Sequence, residues 1–163
     1  YNVLLFVDWP DSAFERRNQF KIGVFGPAGD EPILAPFLGR TLKGRPLVIE
    51  KVHRAEDLSE DYHVLFVRDF DESLIPEILA GVRGAPCLTV SAMPEFAQQG
   101  GMIAFAHLPV QKHASAPGAR AQSAKRFHIN LTAVLRAGLK VRSRLLRLSK
   151  IVGGIPDGMD LAP

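Results

Sequence analysis

Five histidines, one cysteine and one glycine-bearing turn are the groups through which this 163-residue chain could do chemistry. His53, His63, His107, His113 and His128 show neither HxxxH nor HxH spacing, so no two imidazoles are set to reach one ion from a helix turn or a strand face. No cysteine pair adds thiolates, and neither a metal nor another cofactor is expected. Phe25-Gly26-Pro27-Ala28-Gly29-Asp30-Glu31 has the glycines that expose backbone N–H groups to a phosphate. It lacks the Lys-Ser/Thr of a P-loop and the full GxGxxG, and Asp30 and Glu31 would repel an anion, so it reads as a turn and helix cap. Cys87 lies in the apolar run Pro86-Cys87-Leu88-Thr89-Val90. Apolar neighbours raise a thiol's pKa, which makes Cys87 a buried strand residue rather than a nucleophile. Ser91-Ala92-Met93 is no GxSxG elbow, and Asp8, Asp11 and Glu15 read as turn-solvating carboxylates near a helix end. The chain is therefore expected to bind rather than catalyse. If it takes a small molecule, open α/β sheets hold ligands beyond the carboxyl ends of their strands, where Gly26, Pro27, Arg68 and Ser91 would line the crevice.

The elements that must position these residues follow from hydrophobic patterning. Residues 20–25, 46–52, 63–67 and 87–90 are short, apolar, rich in β-branched or aromatic side chains, and bounded by Gly, Pro or Asp. They read as buried strands, joined by 102–106 and 125–129. Residues 31–38 and 73–82 place apolar side chains three and four apart and read as helices. A longer helix is expected over 131–152, capped by Asn130 and carrying the stripe Leu131, Leu135, Gly138, Leu145, Leu148 and Val152, until Gly153-Gly154 and Pro156 stop it. Asn130-Leu131-Thr132 matches a glycosylation sequon, but its place between strand and helix argues for a structural Asn130. Residues 108–124 have no hydrophobic period and read as a mobile loop. The expected fold is a single α/β domain over residues 1–152, with a layered sheet of about six mostly parallel strands, helices on both faces, and a tail over 153–163.

With 47% hydrophobic and 23% charged residues, the chain can close one core without staples. Its longest apolar runs fall far short of the roughly 20 residues that cross a bilayer, so no direct membrane insertion is expected. Residues 1–100 carry 10 basic and 15 acidic side chains, net −5, and residues 101–163 carry 10 and 2, net +8. The basic half lacks interleaved aromatics for base stacking. Arg136, Lys140, Arg144, Arg147 and Lys150 therefore read as a solvated face, not a nucleic-acid surface.

Taken in order, several stretches resemble the YfiR-like family of periplasmic regulatory proteins. Phe6-Val7-Asp8-Trp9-Pro10 is similar to the family's opening F-V-x-W-P, with Ala13-Phe14 after it. Ile22-Gly23-Val24-Phe25-Gly26, Gly44-Arg45-Pro46-Leu47-Val48, His63-Val64-Leu65-Phe66-Val67, Leu88-Thr89-Val90-Ser91 and Gly100-Gly101-Met102-Ile103 continue the match. Ile129-Asn130-Leu131, Ala137-Gly138-Leu139-Lys140 and Leu145-Leu146-Arg147-Leu148 close it near residue 152. The resemblance implies a periplasmic α/β domain made with a cleaved signal peptide, the numbering here starting after that leader. It implies a partner, an inner-membrane signalling protein with a periplasmic sensor region. The chain would bind and restrain this diguanylate cyclase or sensor kinase, and so act on cyclic-di-GMP signalling, and it could form a homodimer. The alternative is a periplasmic small-molecule-binding sensor.

Tyr62 stands where relatives often carry a cysteine, so disulfide control does not carry over. Ala104, His128, Arg142 and Arg144 also depart from the family's usual residues. Among the motif residues, Trp9 is expected in the core and Pro10 at the end of the first helix. Gly100 and Gly101 would permit unusual backbone angles, Asn130 would cap a helix, and Gly138 would allow a close approach to that helix.

Overall fold

Six residues, Phe20–Phe25, form the strand β2 around which the sheet is built. Phe20, Ile22 and Val24 turn to one face and Phe25 to the other, as the two-residue period of a strand requires. The computed structural model describes residues 2–15, 17–26, 37–68, 71–105 and 127–153. Within these, β1 (Val7–Asp8) pairs antiparallel with β9 (Lys140–Val141). The other strands are β3 (Thr41–Leu42), β4 (Arg45–Val52), β5 (Val64–Val67), β6 (Leu88–Ser91), β7 (Ile103–Phe105), β8 (Phe127–Asn130) and β10 (Ser149–Val152). With β2 they form an eight-stranded sheet in the order β10-β8-β7-β6-β5-β2-β4-β3. The β3–β4 and β7–β8 pairs are antiparallel and the rest parallel.

The expected six strands sit close to their sequence positions, but the expected fold class needs correction. The sheet is mixed and has eight strands, and in place of helical layers on both faces the described residues hold three short α-helices. These are α1 (Ile75–Ala80), α2 (Leu131–Arg136) and α3 (Ser143–Arg147). One face buries Ile22, Val64, Leu88, Ile103 and Ile129 beneath Val3, Leu4, Trp9, Val134 and Leu145. The other buries Leu65, Val67, Cys87 and Ala104 beneath Ile75, Ile78, Val82 and Phe96. The expected helix over 31–38 and the loop over 108–124 fall wholly or largely outside the described residues.

The single long helix expected over 131–152 does not form. Asn130 caps as expected, its side-chain oxygen accepting from Ala133 N–H. Two turns later Gly138 takes φ 71, with Leu139 N–H donating to Val134 C=O and Gly138 N–H to Leu135 C=O. These two bonds make a Schellman stop, sealed by the buried pair Val134 and Leu139. The conformation of Gly138, not a close approach to its helix, explains the glycine: a Cβ there would meet only Pro10 Cγ, at 3.8 Å. The chain then pairs with β1, makes α3, and ends in β10 at the sheet edge. Leu148, assigned to the buried stripe by helical spacing, is 43% exposed. Pro10 is also corrected. The opening 3-10 helix, Asn2–Phe6, gives way to β1 well before it, and Pro10 is extended and leads into a second 3-10 turn, Asp11–Phe14.

Gly100 and Gly101 have separate reasons to be glycine. Gly100 has φ +103, whereas a Cβ on Gly101 would overlap the buried ring of Phe96. We expect Gly101→Ala to cost about 3 kcal/mol by overpacking, and Gly138→Ala about 1–2 kcal/mol through backbone conformation alone. Urea unfolding of the two variants measures this order, and a Gly101→Ala variant no less stable than Gly138→Ala would contradict it.

Candidate functional site

His63 sits just before β5 with no exposed surface. Its ring stacks against Phe20, 4.7 Å away, and Phe14, 5.1 Å away, and these two rings are themselves 6.3 Å apart, so the three form one aromatic cluster. Lys21 N–H donates to Nδ1 at 3.1 Å, so the ring proton lies on Nε2 and is given to Ala13 C=O at 3.0 Å. His63 C=O accepts from Trp9 Nε1–H at 3.0 Å and from Leu88 N–H at 2.9 Å. Trp9 meets Phe20 edge to face at 5.2 Å. Burial pushes the His63 pKa below its ordinary 6.5, the Ala13 carbonyl opposes this, and Arg17 and Arg45 reinforce it. The imidazole is a neutral structural node, with no ring nitrogen left for a ligand or a proton relay.

At the surface end of this node, Asp8 accepts from Arg142 Nε and Nη2, both at 3.0 Å, and from Lys43 Nζ at 2.9 Å. The Arg142 hydrogen bond first, and Lys43 second, hold the Asp8 carboxyl down at about 2. One carboxylate thus joins β1, the β3–β4 turn and the residue after β9. Sequence separation of 134 residues hid this partner, and Asp8 alone gives no signal of it. Beside the cluster, Arg144 lies over the Phe6 ring at 5.7 Å, and Arg142 N–H donates to Phe6 C=O. Leu5 and Leu148, on the same two chain segments, are 42% and 43% exposed.

The structure brings together two of the crevice residues expected at the strand ends. Gly26 and Arg68 follow β2 and β5, and a Cβ on Gly26 would meet Arg68 Cβ at 2.9 Å. Ser91 ends β6 fully buried, its hydroxyl accepting from Met93 N–H at 3.1 Å. Pro27 lies outside the described residues. The Asn130 side-chain amide donates to Ala97 C=O at 3.0 Å while its oxygen caps α2, so this side chain is committed to the fold. Cys87 is buried and desolvation pushes its thiol up to about 12, which leaves no thiolate at neutral pH. Tyr62 is buried with its ring against the open Cα of Gly23, and its hydroxyl is pushed up to about 12 by burial and by Glu50. Among the described residues no cluster of His, Cys, Asp or Glu could hold a metal ion. His128 Nδ1 is buried without a hydrogen-bond partner among them.

The Asp8 cluster predicts an acid limb in stability. A carboxyl whose pKa is lowered by folding contributes stability that is complete above its ordinary value of 3.8 and is lost as pH falls toward about 2. In the Arg142→Ala variant, NMR titration should place the Asp8 midpoint higher than in the parent protein, and added salt should narrow the difference because the pair is partly exposed. An unchanged midpoint would mean that the guanidinium does not hold the carboxylate in solution.

No helix among the described residues is long and apolar enough to cross a membrane. No curated protein matches the chain. The profile of the YfiR/HmsC-like family matches residues 1–112, which include Trp9, the His63 node and strands β1 through β7. That match covers more than half of the sequence, and the chain belongs to the YfiR/HmsC-like family.

Proposed function

We propose that this protein is a periplasmic regulator that binds a membrane-bound signalling enzyme, a diguanylate cyclase or sensor kinase, and restrains its output. The observation that carries this reading is the family match over residues 1–112. The state of the reactive groups supports binding over catalysis. His63 is neutral and fully hydrogen-bonded, and Cys87 is a buried thiol.

A protein outside the membrane changes such an enzyme only by binding its active and inactive states unequally. An interface of this kind needs an apolar centre and a polar rim. Leu5 and Leu148, with Arg142, Arg144 and Asp8 near them, have that composition. Leu148 and both arginines lie beyond residue 112, so this surface combines family and chain-specific residues and is suited to selecting one partner among related enzymes.

Deleting the gene should raise or misregulate cyclic-di-GMP level or kinase output. The exported protein should restore it, and a version without a signal peptide should not. Leu5→Asp with Leu148→Asp should fold normally, since both side chains are exposed, and fail to restore control. Unchanged output on deletion, or equal rescue from the cytoplasm, would sink the proposal, and full rescue by the double variant would move the interface elsewhere.

A further inference from the structure

One opening among the described residues, with apolar and polar side chains in its lining, lies at the end of the sheet opposite Gly26, Arg68 and Ser91. It is a groove of about 320 Å³ over the start of β6 and β7, walled by α1 and the turn after it on one side and by α2 on the other. Its volume falls at the low end of the range for small-molecule sites. Leu79, Val82, Met102 and Ala137 supply apolar lining. Arg83 enters from the turn after α1 and Arg136 from the last turn of α2. Both are exposed, and no carboxylate among the described residues pairs with either of them. Arg17, Lys21, Lys43 and Arg142, by contrast, all sit against carboxylates.

The frame of this groove is fixed rather than adjustable. Met102 N–H donates to Thr89 Oγ1 at 3.0 Å and Met102 C=O accepts from Asn130 N–H at 2.8 Å, which ties its floor to the start of α2. Gly100, at φ +103, leaves the mouth open where a Cβ would meet Leu79 Cδ1 at 3.5 Å.

Two arginines on separate walls, with Leu79, Val82, Met102 and Ala137 between them, suit a ligand that is anionic at one end and apolar along its body. Arginine binds carboxylates through paired N–H donors. An ammonium would be repelled, and an inorganic anion would leave the apolar lining uncovered. We infer that this groove between α1 and α2 binds a small organic carboxylate with an aliphatic body. The inference is independent of the partner reading and concerns the input to the domain rather than its output.

The test is a titration of the purified protein with hexanoate, followed by ¹H–¹⁵N correlation spectra, with hexylammonium and inorganic phosphate as controls. Hexanoate should give saturable shifts centred on Gly84, Gly100, Met102 and Ala137, and the controls should not. Arg83→Ala with Arg136→Ala should keep the rest of the spectrum and weaken hexanoate at least about tenfold. Three results would overturn the inference: no saturable shift in the groove, binding unaffected by the double substitution, or equal binding of phosphate, which would mark a charge effect without an apolar site. Partner control in cells would be untouched by any of them, so a failure here is distinct from a failure of the regulatory proposal.

Discussion

One buried imidazole constrains the middle of this protein. His63 takes the Lys21 N–H on one ring nitrogen, gives the other proton to Ala13, and offers its carbonyl to Trp9 and Leu88. Four segments distant in sequence therefore meet at one residue: the chain before β2, the start of β2, the start of β6, and the Trp9-Pro10 entry. The arrangement works only for neutral imidazole, because an added proton would face the Lys21 N–H head on and lie near Arg17 and Arg45. Burial of a polar ring is costly unless every polar atom is satisfied, and here each one is.

The same logic applies to other polar and reactive groups among the described residues. Ser91 is spent on Met93 N–H, Asn130 on Ala97 and the α2 cap, and Cys87 on packing. Each is a polar or reactive group whose surroundings either consume its hydrogen bonds or suppress its ionisation. Arg83 and Arg136, by contrast, line the groove between α1 and α2 with no carboxylate partner among the described residues.

The family match ends at residue 112, but the fold described here does not. β8 continues the sheet beyond β7, Asn130 ties it to Met102 and Ala97, and β9 returns to clasp β1 beside Asp8. The segment from β8 to β10 thus completes both the sheet and the N-terminal entry. It also contributes Arg136, Arg142 and Leu148, so the part outside the match supplies residues to both the proposed interface and the proposed groove.

By itself, the sequence determined the strands whose apolar runs are short and bracketed, β2 and β4 to β8, together with the buried state of Cys87, the cap at Asn130 and the family. These are local properties: strand period, apolar flanks, a capping side chain before a helical run, and ordered motifs. Only the tertiary structure decided what depends on distant partners. Two-residue strands such as β1 and β9 have too few residues to show a period and exist because they pair with each other. The stripe from Leu131 to Val152 fits helical spacing, yet Gly138 ends the helix because the pair Val134 and Leu139 is buried and the chain must return to β1. Asp8 finds Arg142, His63 finds Ala13, and Arg83 and Arg136 face one groove for the same reason. Contacts between side chains far apart in the chain are set by packing of the whole core, which no local pattern encodes.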